Sequence, residues 1–224
     1  MYNHDLNDSP IFHGRRKGRK LSKSNQSALK IGSRYIINKE DFEAVFLCKK
    51  NVILEIGFGD GENLINSAKQ NSNFVYIGAD PFVNTTAQCL SKLLFHNLKN
   101  VLIWPDDVRK ILNLFPYNSI SEIKILFPDP WPKKKHYNRR LIQNEFIEII
   151  HQILKPKGTI TISTDHDMLK NWILEKFQNY RKFEWIVQSS KDWRLRPPDC
   201  FQTKYELKSI ANKRKPSWFI FQKQ

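Results

Sequence analysis

From residue 51 onward, short β-branched or aromatic runs alternate with helix-length amphipathic stretches. That alternation restricts the chain to an α/β fold in which crossover helices link the strands of a mostly parallel sheet. The strands read as NVILEIG (51–57), FVYIGAD (74–80), VLIWPDD (101–107), EIKILFPD (122–129) and GTITISTD (158–165). Helices are expected near 61–71, 84–97, 108–114 and 139–154. In the last of these, Leu141, Ile142, Phe146, Ile149, Ile150 and Ile153 recur at helical spacing. KPKG (155–158) then supplies the breaker and the turn. A further helix over about 167–179 and strands near 183–189 and 217–222 bring the sheet to about seven strands with helices on both faces. The 224 residues suffice to bury a full core and suit one such domain with an appendage.

In an open α/β sheet, ligands gather at the carboxyl ends of the strands. Each expected strand exit carries an acid: Glu55 with the GFGDG turn, Asp80, Asp107, Asp129 and Asp165. One such acid is commonly a helix N-cap; five around one crevice point to a ligand. Gly57, Gly59 and Gly61 follow Glu55 in a G-x-G-x-G spacing, unlike the G-x-G-x-x-G of dinucleotide binders. Glycines there allow a sharp turn and a ligand lying against bare backbone. A pyrophosphate would be repelled by Glu55, whereas a ligand carrying an amine and a sulfonium would be attracted. Asp80 stands where a ribose diol is usually gripped, and Asp107 could accept from an adenine amino group. The pattern suits S-adenosylmethionine better than a nicotinamide dinucleotide.

FPDPWPKKKHYNRR (127–140) holds Asp129 between Pro128 and Pro130, whose fixed φ angles stiffen the exit of the fourth strand and aim the carboxylate. Trp131 offers a flat face to a base or to the core. Lys133, Lys134, Lys135, His136, Arg139 and Arg140 follow, in the loop and the first helical turn. Cations at a helix N-terminus oppose the macrodipole, which favours an anionic partner there. The formal net charge of +15, from 37 Lys and Arg against 22 Asp and Glu, also points to a polyanion. Residues 1–30 lack apolar periodicity and crowd Arg15, Arg16, Lys17, Arg19, Lys20 and Lys23 together with Gly14 and Gly18. They read as a basic, flexible arm ahead of a single domain over 31–224, taken as RNA-binding over the alternative of a merely solubilising tail. No apolar run approaches the roughly 20 residues that span a bilayer, so a cytoplasmic chain is expected. Cys48, Cys89 and Cys200 form no CxxC pair, and the histidines show no ligand spacing, so neither a disulfide nor a metal is expected.

Through RRKGR, LEIGFGDG, FPDPWPKKKHYNRR, STD and TKYE, from about residue 15 to the C-terminus, the chain resembles the bacterial tRNA (guanine-N7)-methyltransferases of the Rossmann-like class I methyltransferase superfamily. The glycine turn is shared across that superfamily; FPDPW with the K-x-x-H-x-x-R-R after it is the specific part. The resemblance implies methyl transfer from S-adenosylmethionine to N7 of a guanine in tRNA, in the variable loop at position 46, by a monomer or homodimer. It implies cofactor contacts from Glu55, Gly57, Gly59, Asp80, Asp107 and Asp129, with Asp129 also at the catalytic position. Lys133, Asp165, Thr203, Lys204, Tyr205 and Glu206 are implied to bind the substrate. Lys135, His136, Tyr137, Asn138, Arg139 and Arg140 are implied to contact RNA. Asp80 departs from the family, which more often has Glu there. Two other readings stay open: an amino methyltransferase acting on adenine or cytosine, and an RNA-binding protein of this fold without a cofactor.

Overall fold

The computed structural model describes residues 12–47 and 51–224. Cys48, His4 and the first eleven residues of the expected arm lie outside them. The strands are β1 (Asn51–Ile56), β2 (Phe74–Ala79), β3 (Val101–Trp104), β4 (Ile120–Leu126), β5 (Leu154–Thr164), β6 (Phe183–Trp185) and β7 (Ser217–Lys223). They form one seven-stranded sheet in the order β3-β2-β1-β4-β5-β7-β6. The first five strands run parallel, and β7 is antiparallel to both β5 and β6. The helices are α1 (Lys23–Ile31), α2 (Phe42–Leu47), α3 (Glu62–Gln70), α4 (Val83–His96), α5 (Asn144–Ile153), α6 (Asp167–Asn179), α7 (Ser190–Arg194) and α8 (Lys204–Ala211).

Side chains of successive strand residues alternate between the two faces, so each face has its own core. Val52, Leu54 and Ile56 pack with Phe42 of α2, Phe146 and Ile150 of α5, and Ile173 and Phe177 of α6. Ile53, Tyr76 and Ile103 pack on the opposite face with Ala28 of α1, Leu64 of α3 and Leu90 and Leu93 of α4. Burial of each such aliphatic side chain is worth roughly 1.5–3 kcal/mol.

Several boundaries differ from the sequence reading. β3 ends at Trp104, and 108–114 holds two 3-10 turns in place of a helix. The helix expected from 139 begins at Asn144, preceded by a separate 3-10 turn (Lys134–Arg139), so the basic cluster does not sit on the N-terminus of α5. The macrodipole argument for an anion there therefore fails. KPKG lies inside β5 as an irregularity, with Lys157 at φ 62, where the pairing to β4 shifts register.

The expected arm boundary at residue 30 falls within α1. Ser22 caps that helix by accepting from the Asn25 N–H at 3.2 Å. Ala28 is buried against α4, and Tyr35 Oη donates to the Leu93 carbonyl at 3.0 Å. One small apolar residue at a close helix crossing leaves little periodicity to read.

Gly61, at φ 79, opens α3 from the left-handed region, and a Cβ there would stand 2.5 Å from Cys89 Sγ. Gly61→Ala is expected to destabilise the fold by about 1–3 kcal/mol in urea unfolding, since both the backbone and the packing oppose it.

Candidate functional site

A cavity of about 390 Å³ opens at the carboxyl ends of β1, β2 and β4. Gly57 (φ 75) and Gly59 (φ 57) form its floor, and a Cβ on Gly57 would meet nothing within 4 Å. The left-handed turn thus presents bare backbone to open space, a conformation that residues with a Cβ rarely adopt. Asp80 fixes the turn: its Oδ2 accepts from the Gly59 N–H at 2.9 Å and its Oδ1 from the Phe82 N–H at 2.8 Å. Burial, with a smaller contribution from the Asp129 charge, raises the Asp80 pKa to about 6 against the pull of those two N–H groups. Asp107 lines the same cavity, but its oxygens already accept from the Arg109 N–H (2.9 Å), Nε (3.0 Å) and Nη2 (2.6 Å).

Part of the wall comes from the segment expected to serve RNA alone. Phe12, His13, Gly14 and Arg15 line the cavity. The chain behind them is anchored where the Val83 N–H donates to the Arg16 carbonyl (2.9 Å), Arg16 pairs with Asp106 (2.7 Å) and the Gly18 N–H donates to Asn84 Oδ1 (2.8 Å). Asp106 and Asn84 are contributors that the sequence reading missed; an acid beside Asp107 was the only signal.

Asp129 stands at the junction of this cavity and a second one of about 150 Å³, whose walls include Asp165, Tyr205, Lys208 and Arg214. Phe127, Pro128 and Tyr205 also belong to both. No described residue donates a hydrogen bond to the Asp129 carboxylate. Its side chain is open to the cavities, yet the walls strip enough water to raise its pKa above the ordinary range. The loop around it holds left-handed backbone at Phe127 (φ 54) and Trp131 (φ 41). Asp165 Oδ2 lies 3.1 Å from Arg214 Nε.

Arg140 corrects the expected set of RNA contacts. It is 2% exposed; its Nε donates to the Pro130 carbonyl at 3.0 Å and its Nη2 to the Trp131 carbonyl at 3.2 Å. Its guanidinium lies over the rings of Tyr137 and Trp172 at 3.8 and 4.8 Å. A cation so enclosed has no face to offer a phosphate; it holds the Asp129 loop. Arg139 lines the larger cavity with its guanidinium 5.1 Å from the Trp131 ring. Lys133, Lys135 and Asn138 are exposed and line neither cavity. His136 meets Trp131 edge-on, and lost hydration together with the Arg139, Lys135 and Lys133 cations lowers its pKa.

The TKYE segment divides. Tyr205 faces both cavities and covers Gly59, while Lys204 Nζ pairs with Asp60 Oδ2 at 2.6 Å. Thr203 caps α8 by accepting from the Glu206 N–H at 3.2 Å. Glu206 is buried, with its Oε1 3.3 Å from Arg196 Nε.

Glu55 lines neither cavity. It points toward α3, where its Oε2 accepts from Asn63 Nδ2 at 2.7 Å, and Asn63 Oδ1 accepts in turn from the Phe201 N–H at 2.8 Å. This chain of bonds ties the glycine turn to the segment that leads into α8. Among the described residues, no group of three or more His, Cys, Asp and Glu is placed to hold a metal, and no helix is long and apolar enough to cross a membrane.

The sheet order, its antiparallel seventh strand and the acid-lined glycine turn define a Rossmann-like class I S-adenosylmethionine-dependent methyltransferase fold. Solved structures with this architecture include the 16S rRNA methyltransferase KamB, with a TM-score of 0.62, 14% identity and coverage of 84% of this chain and 94% of that one. A family described as "Putative methyltransferase" matches residues 49–218. Among curated relatives, the tRNA (guanine-N(7)-)-methyltransferase of Agrobacterium fabrum is 36% identical over 94% of each chain. That of Bartonella quintana is 34% identical over 100% of each. The chain belongs to the tRNA (guanine-N7)-methyltransferase family.

Two substitutions test this construction. Arg140→Met is expected to cost about 2–4 kcal/mol in urea unfolding, because two carbonyls lose their donor; Lys134→Met, on the exposed side, should stay within about 0.5 kcal/mol. Burial raises the Glu55 pKa from 4.5 to about 7, opposed by the Asn63 bond. The folded state then binds the proton more tightly, so the contribution of Glu55 to stability falls as pH rises through that window. Glu55→Gln keeps an acceptor for Asn63 without the charge, and its stability relative to wild type should be greater at about pH 8 than at about pH 4.5.

Proposed function

We propose that this chain transfers a methyl group from S-adenosylmethionine to N7 of a guanine in tRNA, at position 46 of the variable loop. The reading is carried by one observation: Asp129 belongs to the walls of two adjoining cavities, one floored by the glycine turn and the other bordered by Asp165 and Arg214. The larger cavity suits the cofactor. Asp80 keeps lone pairs for a ribose diol, the Gly57 and Gly59 backbone permits close approach, and Tyr205 covers the turn. When bound, S-adenosylmethionine supplies an electrophilic methyl group, and guanine N7 is an acceptor with no proton to lose. No residue is required to remove a proton.

The protein's contribution is then placement, which can lower a barrier by several kcal/mol. In the smaller cavity, Asp129 and Asp165 are acceptors suited to the N1–H and amino group of guanine, and Tyr205 offers it a ring face. Asp129 also offsets the positive charge that the methylated base acquires. Drawing a base out of folded RNA costs a few kcal/mol. The exposed cations from Lys133 to Lys135 and those of the N-terminal segment offset that through phosphate contacts. Such a substrate places the enzyme in the cytoplasm.

Incubation of unmodified tRNA with labelled S-adenosylmethionine, followed by nucleoside mapping, tests the reading; label in a nucleoside other than N7-methylguanosine overturns it. An exocyclic methylamine would identify the amino-methyltransferase alternative. Asp129→Ala should lower kcat/KM for tRNA at least about 100-fold, a loss of about 3 kcal/mol of transition-state stabilisation. Near-normal turnover would remove Asp129 from the catalytic position.

A further inference from the structure

The turn after α8 carries a cluster of cations that the residues discussed so far leave without a role. Lys208, Lys213, Arg214 and Lys215 follow one another along the end of α8 and the approach to β7. Arg214 and Lys208 line the smaller cavity together with Pro128, Asp129 and Pro130. Lys208, Lys213 and Lys215 are exposed, and none of them forms an ion pair with a carboxylate among the described residues.

The ordinary explanation for cations beyond a helix is that they meet its terminal carbonyls. Three of the last four carbonyls of α8 are already occupied. The Ile210 carbonyl accepts from the Lys213 N–H at 2.9 Å, that of Ser209 from the Arg214 N–H at 3.0 Å, and that of Lys208 from Asn212 Nδ2 at 2.7 Å. Lys213 sits at φ 57, in the left-handed region where glycine is the economical residue. The turn is also pinned from both sides: Arg214 pairs with Asp165, and Lys170 Nζ donates to the Lys215 carbonyl at 3.2 Å. A pinned turn fixes where the lysine stems leave the backbone, which lowers part of the ordering cost of binding.

We propose that Lys208, Lys213 and Lys215 form a second phosphate-binding lip of the base cavity. A first group of exposed cations, Lys133–Lys135, follows the loop whose Pro128, Asp129 and Pro130 belong to the same cavity wall. The strand that carries the target nucleotide is then held on both sides of the extruded base, and the two lips share the cost of unstacking. The proposal rests on the reading of tRNA as substrate and adds the surface that grips it.

The triple variant Lys208→Gln/Lys213→Gln/Lys215→Gln, with Arg214 retained, tests it by tRNA binding across a salt series. The slope of log K against log salt should fall by about 2, with at least about a tenfold loss of affinity near 0.15 M salt. A control triple, Lys99→Gln/Lys157→Gln/Lys182→Gln, removes the same charge at the opposite end of the sheet and should leave both within about twofold. Calorimetry should show unchanged S-adenosylmethionine affinity in both variants, which also establishes that they are folded. A wild-type slope in the first triple, or an equal loss in the control, overturns the lip. If the wild-type protein methylates tRNA while the first triple binds normally, the lip alone fails; if the wild type neither binds nor methylates tRNA, the substrate reading fails and takes the lip with it.

Discussion

Parallel strands must release the chain at the same edge of a sheet, and this site is a consequence of that constraint. With β3, β2, β1, β4 and β5 all parallel, the acids that follow them leave at one edge. Neighbouring strands stand about 4.8 Å apart, so carboxylates there are held closer than mutual repulsion favours. Asp80 shows how this is resolved. Each of its oxygens accepts one backbone N–H, one in the turn after β1 and one at the start of α4. A group that repels its neighbours thereby becomes the link between two loops.

The same edge is costly to keep in shape. Gly57, Gly59, Phe127 and Trp131 all occupy left-handed backbone, and for the two aromatic residues that is strained. The compensation lies in Arg140. Its guanidinium is enclosed with no carboxylate partner among the described residues, and it satisfies two carbonyls of the Asp129 loop while stacking on Tyr137 and Trp172. Losing hydration makes such a cation demanding of its neighbours. The loop has few alternatives that would satisfy it, and this rigidity is what the two flanking prolines begin.

The pattern of strands and crossover helices was legible because burial on both faces demands it. So was the convergence of Asp80, Asp107 and Asp129 on one cavity, since a strand's exit is fixed by its register. Much of what escaped reading about the site depends on partners set by tertiary placement and not by sequence pattern. Arg140 looks like one more member of a basic run, and only the placement of Trp172, thirty-two positions later, shows it to be enclosed. Glu55 looks like a ligand-facing acid, yet the alternation of β1 turns it toward Asn63 on α3. The N-terminal segment reads as unattached because its anchors are polar: Arg16 to Asp106, and the backbone around Gly18 to Asn84. Hydrophobic periodicity carries no trace of such contacts.

Chemistry at guanine N7 explains why this degree of fixation would be worthwhile. A reaction that transfers no proton gives a general base nothing to do, so rate must come from alignment and from charge placed where the product becomes cationic. Under the proposed function, two cavities with a common wall meet the first need, because a donor in one and an acceptor in the other would have a shared reference in Asp129. In the proposed reading, a carboxylate with no donor among the described residues meets the second, since it keeps its full capacity for the base. The glycine turn, the Asp80 link, the proline-flanked loop and the buried arginine can then be understood together as a frame that keeps this one acid from moving.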